Sequence, residues 1–271
     1  MKIHRNTLET PLLNFRKNTD LSELFGLLFS RKWLIKTTLV VIAMIGFVRL
    51  GIWQLDRLSQ RRAFNTRVLT QMSQPTLILN APSDWGALIN MEYRKIQVKG
   101  EYDHSHEIAL RNQYSGNQWG VHLVTPLRIS GTNMAILVDR GWIPGDSYES
   151  GNWSSFNEPG IVEVIGVIRR EQSKAEIGNR TDPAINSGDA PRRVWNFVNI
   201  DQISKQIPYP ILSVYIQQSP NPAKQGLPIR STPDIQITEG PHLGYAIQWF
   251  TFALIAGIGY LIYFYRQVKS Q

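Results

Sequence analysis

Residues 240–265 read GPHLGYAIQWFTFALIAGIGYLIYFY. From Leu243 to Tyr265 there are 23 residues without Asp, Glu, Lys or Arg. As a helix rising about 1.5 Å per residue, this run spans roughly 34 Å. That exceeds the roughly 30 Å hydrocarbon core of a bilayer, so the helix crosses with some tilt. An open strand is excluded, because lipid satisfies no backbone donor or acceptor. Pro241 fixes the helix start. Tyr245 and Trp249 near one end, and Tyr260, Tyr263 and Tyr265 at the other, sit where interfacial aromatic belts form. His242 stands at the mouth of the run. An ionisable group there is either a satisfied interfacial side chain or a ligand.

A second span lies near the other terminus, where residues 37–55 read TTLVVIAMIGFVRLGIWQL. Arg49 lies within two turns of its end, close enough to snorkel. Thirty-six residues precede the span and no A-x-A-like site follows, which marks a retained anchor rather than a cleaved signal. Glu9, Asp20 and Glu23 argue against a mitochondrial transit peptide, which avoids acids. The formal net charge is +8, and its distribution is uneven. Residues 56–241 hold 19 Lys and Arg against 18 Asp and Glu, whereas the flanks hold ten against three. A middle near +1 gives no footprint for nucleic acid. Basic flanks outside two spans place both termini in the cytoplasm and the central domain outside. The expected location is thus a bacterial inner or plasma membrane, with the central domain periplasmic; a mitochondrial inner membrane is the second choice. Arg57, Arg61, Arg62 and Arg67 stand against this rule on the outer side.

The chain has no cysteine. That removes disulfides, thiolate metal sites and a Cys nucleophile. The central domain of about 186 residues is long enough to stand on its own core. After Leu55 the helix is expected to continue out of the membrane. The period then changes. Segments 94–102, 106–113, 121–129, 134–143, 162–170 and 211–218 are rich in β-branched and aromatic residues and are separated by Gly, Asn, Asp and Pro. Short links favour antiparallel pairing. A short helix is expected over 201–206, capped by Asn199 or Asp201, and a long polar loop over 171–193. The predicted fold is a membrane protein with two transmembrane α-helices flanking a mostly antiparallel β (α+β) extramembrane domain. Its parts are a cytoplasmic tail (1–36), a first span (37–55), an exported domain (56–241), a second span (242–265) and a short cytoplasmic tail (266–271).

Enzyme templates are missing: no G-x-S-x-G, P-loop, G-x-G-x-x-G or H-E-x-x-H. His122 with any of several serines would permit a hydrolase, but no spacing singles one out. His104 and His106 could share a strand face and hold a metal with Asp103 and Glu107, or form a solvated turn entering a strand. VDRGWIP at 138–144 is denser. Asp139 and Arg140 can pair, Gly141 permits a bulge or close approach, and Trp142 offers a flat face. It reads either as a strand end with a structural ion pair or as a partner-facing edge. GIWQLDRL at 51–58 puts Gln54 in a span and Trp53 and Arg57 at i, i+4. His242, Tyr245 and Trp249 fall at i, i+3, i+7 on the second helix. Both groups lie at the same membrane surface, so they are expected to face one another and frame an aromatic, polar-rimmed slot. His242 could hold iron there or remain an interfacial group.

GIWQLDRL, YRKIQVKGEY, TPL at 125–127, ILVDRGWIP and PHLGYAIQWFTFA, in this order over residues 37–266, resemble the surfeit locus protein 1 family. The resemblance implies a non-enzymatic assembly factor of haem–copper cytochrome c oxidase. It would promote insertion or retention of haem a in subunit I, with subunit I and other assembly factors as partners. It puts His242 at the family's proposed haem ligand, Trp53, Gln54 and Arg57 on the first-helix motif, and Arg140, Gly141 and Trp142 on the RGW motif. Tyr245 and Trp249 would then wall the haem a, and Arg57 or Arg140 would meet its propionates. This chain has GPHLGY where the family's approach is Asn-rich, so the hydrogen bonding around His242 is its own. A second reading is a scaffold that grips oxidase subunits through the β domain without touching haem; a third is a membrane-anchored enzyme.

Overall fold

The computed structural model describes residues 26–79, 85–151, 153–175, 181–186 and 188–270. Most of the cytoplasmic tail expected over 1–36, and part of the loop expected over 171–193, lie outside these. The chain divides into two compact units. A helical unit runs to Arg61 and resumes at Glu239, and a β unit comprises Arg62–Thr238.

The helical unit is built from α1 (Arg31–Ser73) and the last helix, which is α4 (His242–Lys269). Both are long and apolar enough to cross a membrane. They are antiparallel neighbours along one seam. Trp33 packs edge-on against Phe264, Thr37 Oγ1 lies 2.6 Å from Tyr260 Oη, Phe47 stacks on Trp249, and Gln54 meets His242. From Trp33 to Gln54 is about 21 residues, or roughly 32 Å of helix, close to a hydrocarbon thickness. Away from the seam, apolar side chains point outward: Ile35 is 71 % exposed, Leu39 62 % and Ile255 63 %. In water, so broad an apolar surface is unfavourable, whereas in lipid it is the ordinary state. The helical continuation expected beyond Leu55 is present, since α1 runs on to Ser73.

The β unit holds β1 (Leu77–Ile78), β2 (Lys95–Tyr102), β3 (Ile108–Ser115), β4 (Gln118–Ile129), β5 (Ala135–Pro144), β6 (Ile161–Arg170), β7 (Val194–Trp195) and β8 (Ile211–Gln218). Two short helices, α2 (Gly145–Glu149) and α3 (Ile200–Ile203), lie between strands. Asn199 caps α3 by accepting the Gln202 amide at 3.1 Å, as its side chain predicts. The sheet order is β1-β2-β6-β8-β5-β4-β3-β7, and a β2–β4 pairing closes β2, β6, β8, β5 and β4 into a barrel. Each of the six expected strands is present, with ends shifted by up to three residues.

Pairing is antiparallel at five junctions. It is parallel at β1–β2, β3–β7 and β5–β8. The parallel β5–β8 contact departs from the expected pattern. β5 is buried on both sides: Ile136 and Val138 enter the barrel core, while Leu137 enters a second cluster with Trp195, Ile200 and Ile203. A strand buried on both faces reads as a continuous apolar run, the usual signature of a parallel neighbour.

Candidate functional site

Two places gather the residues singled out in the sequence. The first is the seam of the helical unit. Gly51 lies against Phe250, and a Cβ built there would stand 2.7 Å from the Phe250 ring. The missing side chain leaves room for that ring against α1, as small residues do in packed membrane helices. One turn further along α1, Gln54 is 92 % buried and its Oε1 lies 2.8 Å from His242 Nδ1. An amide oxygen only accepts, so Nδ1 carries the proton and donates. In the neutral ring that leaves Nε2 with a bare lone pair. No described residue bonds Nε2, and the side chain is half-buried. This donor set fits one axial ligand of a haem iron.

The expected slot between the helices is filled. Phe47 and Trp249 stack at 5.8 Å between centroids, and Phe252 packs on both rings at 5.9 and 5.8 Å. The helices touch here and leave no gap for a flat macrocycle between these rings. Trp249 therefore belongs to the helix contact. Tyr245 (48 % exposed) and Trp53 (52 % exposed) point outward. Arg57 is exposed and donates to Gln60 Oε1 at 2.9 Å. The structure thus brings His242 and Gln54 together and leaves Tyr245, Trp53 and Arg57 on the surface.

The second place is the RGW motif of β5. Opposite Leu123 and Val124, the ladder skips from Gly141 to Asp139, so Arg140 is the extra residue of a β-bulge. It keeps the alternation of Ile136 and Val138, which face the barrel core, and so points inward toward Tyr102. Its side chain is fully buried. Nη1 donates to Glu107 Oε2 at 2.8 Å, Nη2 donates to Glu158 Oε1 at 3.4 Å and to the Phe156 carbonyl, and the guanidinium lies 4.9 Å over the Tyr102 ring. Thr125 Oγ1 completes Glu107 at 2.5 Å. Burial alone would raise the Glu158 carboxyl. The Lys224 hydrogen bond and the charges of Arg230 and Arg140 outweigh that and hold it below the ordinary range. Burial pushes the Tyr102 phenol up.

Gly141 has φ +117°, and a Cβ there would stand 2.4 Å from the Ile229 carbonyl oxygen. That space lets Trp142 and Ile229 exchange backbone hydrogen bonds of 2.9 and 2.8 Å. Trp142 is buried, with Nε1 3.4 Å from the Gln113 carbonyl. The motif therefore clasps a strap, residues 224–231, onto β5, with Arg230 and Lys224 reaching Glu158 at 2.9 and 2.6 Å. The expected Asp139–Arg140 pair does not form. Asp139 instead binds His122 Nδ1 at 2.9 Å, because successive side chains on a strand point to opposite faces. Arg140 and Trp142, expected at a bound cofactor, are engaged inside the β unit. Burial alone would lower the His122 imidazole; the charge and hydrogen bond of Asp139 outweigh it and raise the ring above its ordinary value.

His104 and His106 form a tight turn rather than a shared strand face. His106 pairs with Asp103 at 2.9 Å, and His104 lies 3.6 Å from Glu107. Among the described residues no group of three or more His, Asp or Glu side chains is placed to hold a metal ion. Gly51, Phe47, Phe250, Glu158 and Arg230 were not singled out in the sequence, and Glu107 was raised only as a metal ligand beside His104 and His106. A glycine at the level of the span's one amide was the signal available for Gly51. Glu158 and Arg230 carry no local signal.

Comparison with known proteins places the whole chain in a family. The model of the SURF1 family matches residues 41–254, a stretch that takes in the barrel and part of each long helix. A SURF1-like protein of Rickettsia bellii is 27 % identical over 237 residues, covering 86 % of this chain and 91 % of that protein. The rat Surfeit locus protein 1 is 24 % identical over 228 residues, covering 78 % of this chain and 69 % of that protein. A SURF1-like protein of Caenorhabditis briggsae is 23 % identical over 227 residues, covering 76 % and 68 %. With the family match spanning most of its length, this chain belongs to the SURF1 family.

Proposed function

We propose that this protein is a membrane-anchored assembly factor of haem–copper cytochrome c oxidase that presents haem a to subunit I. The observation that carries the reading is the His242 imidazole, held through Nδ1 by a buried amide with Nε2 open. Haem a would supply an iron centre for that nitrogen and a flat apolar ring for the exposed Trp53 and Tyr245. One half-buried histidine at a helix end suits a cargo that must leave again. Arg57, held only by Gln60 on the surface, is free to turn toward a propionate. The β unit would face the oxidase and the other assembly factors. The basic flanks support a topology with both termini in the cytoplasm, the β unit periplasmic, and the cell inner membrane as the location.

A second reading is favoured by the filled seam. With Phe47 and Trp249 stacked between the helices, the helical unit is a stable anchor without cargo, and the protein would act as a scaffold for oxidase subunits. Purification from membranes that make haem a separates the two. A Soret band in the wild-type protein that vanishes in His242→Ala supports haem presentation. A colourless wild-type protein whose deletion still abolishes oxidase assembly supports the scaffold.

A further inference from the structure

Glutamine is unfavourable in a membrane span, and Gln54 is buried there on a single partner, His242. We propose that Gln54 is a positioning residue that makes His242 a one-nitrogen ligand. By accepting from Nδ1–H it fixes the ring in the tautomer that is bare at Nε2, and it fixes the ring plane as well. An unconstrained neutral imidazole prefers the opposite tautomer, with the proton on Nε2, and would have to shift it before binding iron. Ligating histidines ordinarily owe tautomer, orientation and basicity to such a partner. Here the partner is an amide on the other helix, so the arrangement depends on helix spacing. Gly51, one turn from Gln54, makes room for the Phe250 ring in the same seam. The inference rests on the reading of His242 as an iron ligand, but its first consequence is a property of the protein alone.

That consequence is visible in nitrogen NMR of the full chain in detergent, labelled with 15N-histidine, free of haem and at alkaline pH. The His242 signals are identified by their loss in His242→Ala. The wild type is expected to show a protonated Nδ1 and a bare Nε2. Gln54→Leu is expected to revert to the Nε2–H form, Gln54→Glu to keep the wild-type tautomer, and Gly51→Val to lose it while both partners remain. Should Gln54→Leu not fold, the wild-type, Gln54→Glu and Gly51→Val spectra still decide. A wild-type ring protonated at Nε2, or one indifferent to Gln54, overturns the proposal.

Titration with hemin, read at the Soret band, tests the functional half. Gln54→Leu should bind about 10–100-fold more weakly. The iron–histidine stretch of the ferrous form should rise in Gln54→Glu and fall in Gln54→Leu, a signature that a merely structural contact would not move. A fixed tautomer in a protein that does not bind hemin sinks the haem reading and leaves the positioning role standing. Hemin bound through His242 with equal affinity in all Gln54 variants sinks the positioning role and leaves the haem reading intact.

Discussion

Replacing Arg140 with methionine separates a structural role from a ligand-binding one. Methionine keeps much of the volume and removes the fork. Glu107 is 2 % exposed and takes its only strong cation from Arg140 at 2.8 Å. Without it, Glu107 retains Thr125 as donor and lies 3.6 Å from His104. Removing one partner of a buried pair costs about 3–5 kcal/mol, because the other charge is stranded. In a unit of about 177 residues, each kcal/mol moves the melting midpoint by about 2–4 °C, so a fall of about 6–20 °C is expected. The assay is thermal denaturation of the full chain in detergent, followed by the fluorescence of tryptophans that include the buried Trp153 and Trp195. The double variant Arg140→Met with Glu107→Gln carries no stranded carboxylate there. It should recover most of the loss, since an ion pair exchanged for neutral groups is often close to neutral in stability. A single variant within about 1 kcal/mol of wild type, or a double variant no better than the single, refutes the reasoning. Hemin affinity lost at unchanged stability would instead put Arg140 at the ligand.

Two further outcomes follow from the β unit. The His122 imidazole is raised in the folded state by Asp139, so the pair's contribution is complete below about pH 6.5, the unfolded value. It fades as pH rises through the higher folded value; a denaturation midpoint that falls across this window in the wild type and is flatter in Asp139→Asn is the expected result. Gly141→Ala puts a Cβ 2.4 Å from the Ile229 carbonyl at φ +117° and should cost on the order of 1–3 kcal/mol, with faster tryptic cleavage after Lys224 as the strap lifts.

Helix and strand were legible in the residues because they are local. An apolar run of 23 residues without charge has one membrane solution, and period-two segments rich in Val and Ile have one local geometry. The helical extension past Leu55, the Asn199 cap and the six strands were all readable at that level. β5–β8 was not, because strand direction is set by the path the chain takes between Pro144 and Ile211. Of the candidate site, the pairing of Gln54 with His242 was half legible: each residue was conspicuous by its chemistry, but nothing in the sequence says which nitrogen faces which oxygen. The RGW motif was conspicuous too, and its meaning depended on partners that distant segments bring to it, Glu107, Glu158 and Ile229.

The sequence by itself therefore determined two apolar helices, a β-rich middle and the family, since these depend on composition, period and motif order along the chain. Only the tertiary structure decided that Arg140 is buried on Glu107, that a strap is clasped over Gly141, and that Phe47 and Trp249 close the space between the helices. The reason is physical. Burial, ion pairing and tautomer depend on distances between residues far apart in sequence: 188 positions separate Gln54 from His242, and 33 separate Glu107 from Arg140.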